Sequence, residues 1–372
     1  MISEFRIAIP DAAVTDLRER LARIRWPRQL PGVEWDRGVP VAYVRRVVER
    51  WAAYDWRVWE ARLNEYPQYL TEIDGQPIHF LHVRSPQADA VPLILTHGWP
   101  GSVAEFLEVL GPLTDPAAYG GDSRDAFHVV APSVPGHGFS VPLTSGWNHA
   151  RIARAWAELM HRLGYERYGA QGGDTGSVVS PLVGQVDPEH VIGVHINGGL
   201  AFPDVRPGDV VTDAERERLA AAERLRAVGT GYAELQGTRP QTVSFGLSDS
   251  PVGQLAWILE KFWEWTDPAR ALPEDAVDLD HLLTDVSIYW FTNTSATSAN
   301  LYYENRRSAD DLRPGVPTGV AVFPTDPAIR RVLERRHRIV HWSEFSTGGH
   351  FAALETPELL VEDVRAFFRL VR

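Results

Sequence analysis

Residues 172–176 read Gly-Gly-Asp-Thr-Gly. The segment before them, Glu166 to Gln171, suits a short strand, and Ser177 to Ser180 suits the start of a helix. A Gly-x-nucleophile-x-Gly turn between strand and helix exposes its central side chain at a sharp bend. Serine is the usual occupant; here it is Asp174. That difference decides which bonds can be broken. A serine alkoxide attacking a saturated carbon leaves an ether, which water does not readily cleave. A carboxylate leaves an ester, which a second hydrolytic step removes. Asp174 as nucleophile therefore predicts attack on sp³ carbon, as in epoxides or alkyl halides, and not ordinary ester hydrolysis.

Such an ester needs a base to activate water, an acid to orient the base, and donors for the oxyanion. His350 lies in Gly348-Gly349-His350-Phe351, where two glycines set the imidazole on a tight loop. His337 sits in a charged run and His341 in a strand pattern, so neither has that setting. The order nucleophile, acid, histidine is that of the α/β-hydrolase fold. Asp326 follows the apolar run Val320–Val322 directly and is the candidate acid; Glu304 and Glu344 compete with it. His97-Gly98-Trp99-Pro100-Gly101 follows another apolar run, Leu93 to Thr96. In this fold that loop and the residue after the nucleophile supply oxyanion N–H groups, here those of Trp99 and Thr175. An opening epoxide also needs a proton donor. A phenol, with a pKa of about 10, keeps its proton at neutral pH. Tyr232, and Tyr302 or Tyr303, are the candidates.

These residues need a rigid frame. Short apolar runs recur at Ile78–Val83, Leu93–Thr96, His128–Ala131, Val191–Val194, Val320–Phe323 and Ile339–Trp342, most of them β-branched. Helix-like stretches separate several of them. The alternation predicts an α/β fold with a mostly parallel sheet covered on both faces. Residues 1–75 read as a helical N-terminal segment without catalytic motifs. The rhythm of strands stops between Gly199 and about Pro314, which reads as a helical insertion over the carboxyl ends of the strands, where such sheets bind ligands. The expected units are 1–75, core 76–202, helical cap 203–314 and core 315–372.

The chain has 372 residues and a formal charge of −12, which argues against nucleic acid as a partner. It has no cysteine, so disulfides, thiolate metal sites and cysteine nucleophiles are excluded. Neither a membrane-length apolar run nor a signal-peptide pattern is evident, and the expected location is cytoplasmic. The 13 tryptophans suit core packing, with some left to line a pocket for a bulky apolar ligand.

Taken together, the chain resembles the epoxide hydrolases of the microsomal type over nearly its whole length. The matching stretches include Arg25-Trp26-Pro27, Tyr54-Asp55-Trp56-Arg57, His97 to Ser102, Gly172 to Asp174, Thr238 to Thr242, Asp249 to Gly253, Glu260 to Trp263 and Gly348 to Ala353. The resemblance implies an α/β-hydrolase core with a helical cap and an N-terminal segment. It implies Asp174 as nucleophile, Asp326 as orienting acid, His350 as base, and Tyr232 and Tyr302 as proton donors, with Tyr303 as the alternative. Two positions depart from the pattern. Thr175 replaces a frequent tryptophan, and Asp326 a frequent glutamate. The membrane-anchoring helix of some relatives has no counterpart. The partner expected is a small-molecule epoxide, neither metal nor organic cofactor is expected, and a homodimer is compatible with the chain. A haloalkane dehalogenase is the rival on the same scaffold, and a silent ligand receptor is the rival of another class.

Overall fold

In the computed structural model, residues 1–199, 203–206, 212–309 and 311–372 are described. The β-branched runs form strands of one nine-stranded sheet. They are β1 (Ser3–Phe5), β2 (Gln68–Ile73), β3 (Gln76–Val83), β4 (Val91–Thr96), β5 (Phe127–Pro132), β6 (Tyr168–Gly173), β7 (Val191–Asn197), β8 (Pro317–Val322) and β9 (Arg338–Glu344). The order is β1-β2-β3-β5-β4-β6-β7-β8-β9. From β5 to β9 every pairing is parallel; β1, β2 and β3 are added antiparallel at one edge. The central strands are buried on both faces, as parallel strands flanked by helices must be: Leu93, Ile94, Val129, Val130, Ala170, Val194 and Val320 have no exposed surface.

The N-terminal segment departs from the helical expectation. It has helices at Asp11–Ala22, Val41–Ala53 and Trp56–Leu63, but its two ends are β1 and β2. The polar alternation of Gln68–Ile73 hid a strand whose register is fixed by the Asp74-Gly75 turn into β3, with both turn residues at positive φ. The segment is thus part of the core sheet and not a separate helical unit.

Its helices also hold the insertion. The insertion contains helices Asp213–Val228, Gly231–Thr238, Pro240–Asp249, Pro251–Trp265, Leu279–Thr292 and Thr294–Asn305. Trp51 donates its indole N–H to Ser287 Oγ at 2.9 Å, and the Tyr54 hydroxyl lies 2.7 Å from Thr284 Oγ1. Trp56 packs on Phe291, and Trp35 stacks on Trp263 at 4.4 Å. Arg50 pairs with Asp280 and Arg46 with Glu274 at the wetter rim. Tryptophans of the N-terminal segment therefore act as the clamp between core and cap. The expected boundary at residue 202 lies outside the described residues.

Candidate active site

The turn at Asp174 has the geometry its glycines demand. Asp174 has φ 52° and ψ −118°, a conformation rarely open to a side-chain-bearing residue. It is held by its own N–H to the Gly198 carbonyl at 2.8 Å, and by Ser177 Oγ donating to the Asp174 carbonyl at 2.7 Å. Helix Thr175–Val186 starts at the next residue, so the carboxylate faces the positive end of a helix dipole. Gly98 is a second necessity. A Cβ there would stand 2.1 Å from Asp174 Oδ1. Gly98→Ala is expected to abolish turnover and to cost about 1–3 kcal/mol of stability from overpacking. Thermal unfolding beside an activity assay checks both.

The two oxygens of Asp174 face different partners. Oδ1 accepts the Trp99 backbone N–H at 3.0 Å and the Thr175 hydroxyl at 3.2 Å, with the Thr175 backbone N–H as a further donor. These are the two expected backbone donors, and Thr175 adds a hydroxyl that the tryptophan of the family pattern would lack. Oδ2 faces His350 Nε2 at 3.4 Å. Burial alone raises the Asp174 pKa, but His350 and the donors of Trp99 and Thr175 outweigh it, and the net shift is downward. Burial likewise lowers that of His350, yet Asp174, then Asp326 and Glu355, bring it above its ordinary value. Each shift favours the charged form of its group.

The loop bearing Trp99 is pinned by His97. Its Nε2 accepts the Val134 N–H at 3.1 Å and its Nδ1 lies 3.0 Å from the Gly98 carbonyl. Burial lowers its pKa to about 4, so the neutral ring both accepts and donates.

Asp326 lies on the loop after β8 and is 4% exposed. Its Oδ2 accepts the Phe323 N–H at 3.0 Å, and its charge acts on His350. The rivals are occupied elsewhere. Glu304 accepts from Gly146, and Glu344 pairs with Arg218 and Trp342. His341 is bound to Asp363 at 2.7 Å.

The cap brings its aromatic rings down on this set. Tyr232 stacks on Trp99 at 5.0 Å, and Tyr302 meets both Trp99 at 6.0 Å and Tyr232 at 5.7 Å. Burial, with a contribution from the Asp174 charge, raises the pKa of both phenols, so they stay protonated. The Tyr303 ring instead carries the Arg307 guanidinium, 3.3 Å from its centre. A cavity of about 680 Å³ opens above, lined among others by Asp174, Tyr232, Trp265, Asp326, His350 and Leu225.

Three residues of the site were not singled out from sequence. Trp265 packs on the His350 ring at 4.9 Å and accepts its backbone N–H at 2.8 Å. Glu355 accepts from Phe351 N at 3.0 Å and from Asp267 N at 2.7 Å, tying the histidine loop to the cap. Lys261, the only lysine of the chain, is 2% exposed, pairs with Glu264 at 2.6 Å and lies 4.8 Å from the Tyr232 ring centre. A lone lysine in an arginine-rich chain was the available signal for the last. Among the described residues no helix is long and apolar enough to cross a membrane.

The family model described as "Epoxide hydrolase N terminus" matches residues 2–106, and that described as "alpha/beta hydrolase fold" matches residues 91–311. Epoxide hydrolase 1 of Sus scrofa is 35% identical over 100% of this chain and 89% of its own length. The juvenile hormone epoxide hydrolase of the silkworm Bombyx mori superposes with a TM-score of 0.91 at 32% identity, covering 100% of this chain and 95% of that one. The Aspergillus niger epoxide hydrolase does so with 0.89 at 34% identity, covering 100% and 97%. The chain belongs to the epoxide hydrolases of the microsomal type, on the α/β-hydrolase fold.

Proposed function

We propose that the protein converts an epoxide and water to a vicinal diol through a covalent ester on Asp174. The observation that carries this reading is that Asp174 lines one cavity with Tyr232, whose ring packs against that of Tyr302. Asp174 Oδ2 attacks an epoxide carbon from the face opposite the C–O bond. Tyr232 and Tyr302 donate to the ring oxygen, and a phenol proton moves to it as the ring opens. The alkyl ester forms, and the Asp174 charge is gone.

That loss changes His350. Its pKa stood high mainly because of Asp174; once the carboxylate is an ester, the lowering by burial weighs more. The ring gives up its proton to restore the phenolate left by ring opening, and becomes a base. It then takes a proton from water, which attacks Asp174 Cγ; on collapse the ester C–O bond breaks, the departing alkoxide takes that proton, and the proton left on the Asp174 carboxyl passes to His350. Asp326 stabilises the imidazolium that results, while Trp99 and Thr175 hold the oxyanion on Oδ1. The phenols favour an epoxide oxygen over a halide, which would ask for indole or amide N–H donors. Tyr232 and Trp265 in the wall of a cavity of about 680 Å³ suit a bulky or aromatic substrate.

Two predictions belong here. Tyr232→Phe and Tyr302→Phe each slow ester formation by roughly 10²-fold, within the range for a general acid, while Tyr303→Phe changes it by less than about twofold. Single-turnover tryptophan fluorescence reports the step. An equal effect of the Tyr303 and Tyr302 changes would contradict the assignment. The second concerns pH. The ester-hydrolysis rate falls on acidification as His350 becomes protonated. Its midpoint should lie below that at which His350 titrates in the free enzyme, because the raising charge of Asp174 is then absent. Pre-steady-state kinetics against the NMR titration of the imidazole decides it.

A further inference from the structure

The end of the sheet opposite Asp174 gathers a second group of side chains. Helix Thr175–Val186 begins at the nucleophile and is capped at its other end by Asp187. His190 then leads into β7, and Tyr168 opens β6 beside it, paired with Val191. Helix His149–Arg162 brings His161 to the same place in its last turn. His161 Nε2 lies 2.8 Å from Asp187 Oδ2, and His190 Nδ1 lies 2.6 Å from Asp187 Oδ1. The hydroxyl of Tyr168, a residue with no exposed surface, donates to Oδ2 at 2.7 Å. The two imidazole rings are 4.7 Å apart. One donor atom from each of His161, Asp187 and His190 lies within 4.8 Å of the other two.

A helix cap needs one side chain, and an exposed histidine gains little from a hydrogen bond that water can supply. Here two rings from separate segments close on both oxygens of one carboxylate, which a buried phenol holds in place. The Asp187 side chain is 10% exposed, and those of His161 and His190 are 43% and 36% exposed, so the group opens to solvent on the imidazole side.

We propose that His161, Asp187 and His190 bind one divalent transition-metal ion, of the zinc class, which ties the end of helix His149–Arg162 to the start of β7. Two imidazoles and a carboxylate suit zinc, whereas magnesium and calcium favour oxygen ligands alone. Zinc bonds of about 2.0–2.2 Å place tetrahedral ligands about 3.3 Å apart. The present contacts are shorter, and part-exposed rings can swing outward by the few tenths of an ångström required. Each ring turns toward the ion the nitrogen it now turns toward Asp187, and carries its proton on the other. Water completes the fourth position. Tyr168 orients the carboxylate from behind, as the outer partners of metal ligands do. The negative end of the dipole of helix Thr175–Val186 adds to the attraction.

The ion takes no part in the reaction. The twelve residues of helix Thr175–Val186 separate it from Asp174, about 18 Å at the usual rise. The inference therefore goes beyond the proposed reaction and does not depend on the ester.

Zinc titrated calorimetrically into chelator-treated protein without a histidine tag should bind at one ion per chain. At about 100 times its dissociation constant it should raise the unfolding midpoint by about 2–4 °C, and magnesium at the same concentration should not. His161→Ala and His190→Ala change part-exposed rings, should fold normally, and should each weaken zinc binding by about tenfold or more. Tyr168→Phe, which removes only the outer hydrogen bond, should weaken it by about tenfold. Cobalt(II) in the site should show the visible absorption of a four-coordinate ion, lost in either histidine variant. Diol formation by both variants should stay within about twofold of the unaltered protein. Absence of saturable zinc binding, or binding unchanged in the two folded histidine variants, would overturn the proposal; the latter would place the ion elsewhere among the 13 histidines. Failure of the unaltered protein to form diol would count against the reading of Asp174 and leave the zinc titration as it stands.

Discussion

Asp174→Asn removes turnover, by roughly 10⁴-fold or more, the scale seen when a nucleophile is deleted. The reason is local. An amide offers Oδ1 to the Trp99 N–H as before, so the loop and the strained turn keep their contacts. In place of Oδ2, however, it presents an uncharged nitrogen that cannot open an epoxide. His350 also loses the carboxylate that raises its pKa. Folding should be preserved, since the replacement is isosteric and its main partners are backbone groups. Circular dichroism and diol assays on the same sample check this. Normal diol output from protein whose mass proves the amide intact would contradict the assignment.

His350→Ala should have a different signature. Ester formation needs Asp174 and the phenols, and it survives, slowed by the loss of a neighbouring imidazolium. Ester hydrolysis loses its base, which is worth roughly 10²–10⁴-fold. The alkyl-enzyme becomes the end product, one equivalent per chain, visible as an intact-protein mass shift. The cavity left beneath Trp265 costs stability, so the variant is best compared with His350→Gln, which refills part of it. A variant that neither traps the ester nor forms diol would place His350 in the first half-reaction and not the second.

Much of this site is legible in the sequence because its parts are set by local geometry. The Gly-x-Asp-x-Gly turn and the His-Gly-Trp-Pro loop are each defined by neighbours in the chain, and Asp174 and Trp99 meet as that pattern requires. Tyr232 and Tyr302 are less so. From spacing alone they do not differ from Tyr303; what separates them is the side of helix Thr294–Asn305 that lies over Trp99. Glu355 was silent for another reason. Buried ionisable residues look like solvated ones until long-range packing removes their water. The strand Gln68–Ile73 was missed because it lies near the sheet edge and alternates polar with apolar residues, with no continuous hydrophobic run.

The central claim is that a carboxylate of the protein is esterified and regenerated. One catalytic cycle with enzyme in excess, run in water enriched in heavy oxygen, tests it most directly. The expected result is label in the Asp174 side chain, located by mass spectrometry of the peptide that contains it, and a diol free of label from the solvent. Label in the diol with none in Asp174 would mean that water attacks the epoxide directly, and the account would be wrong.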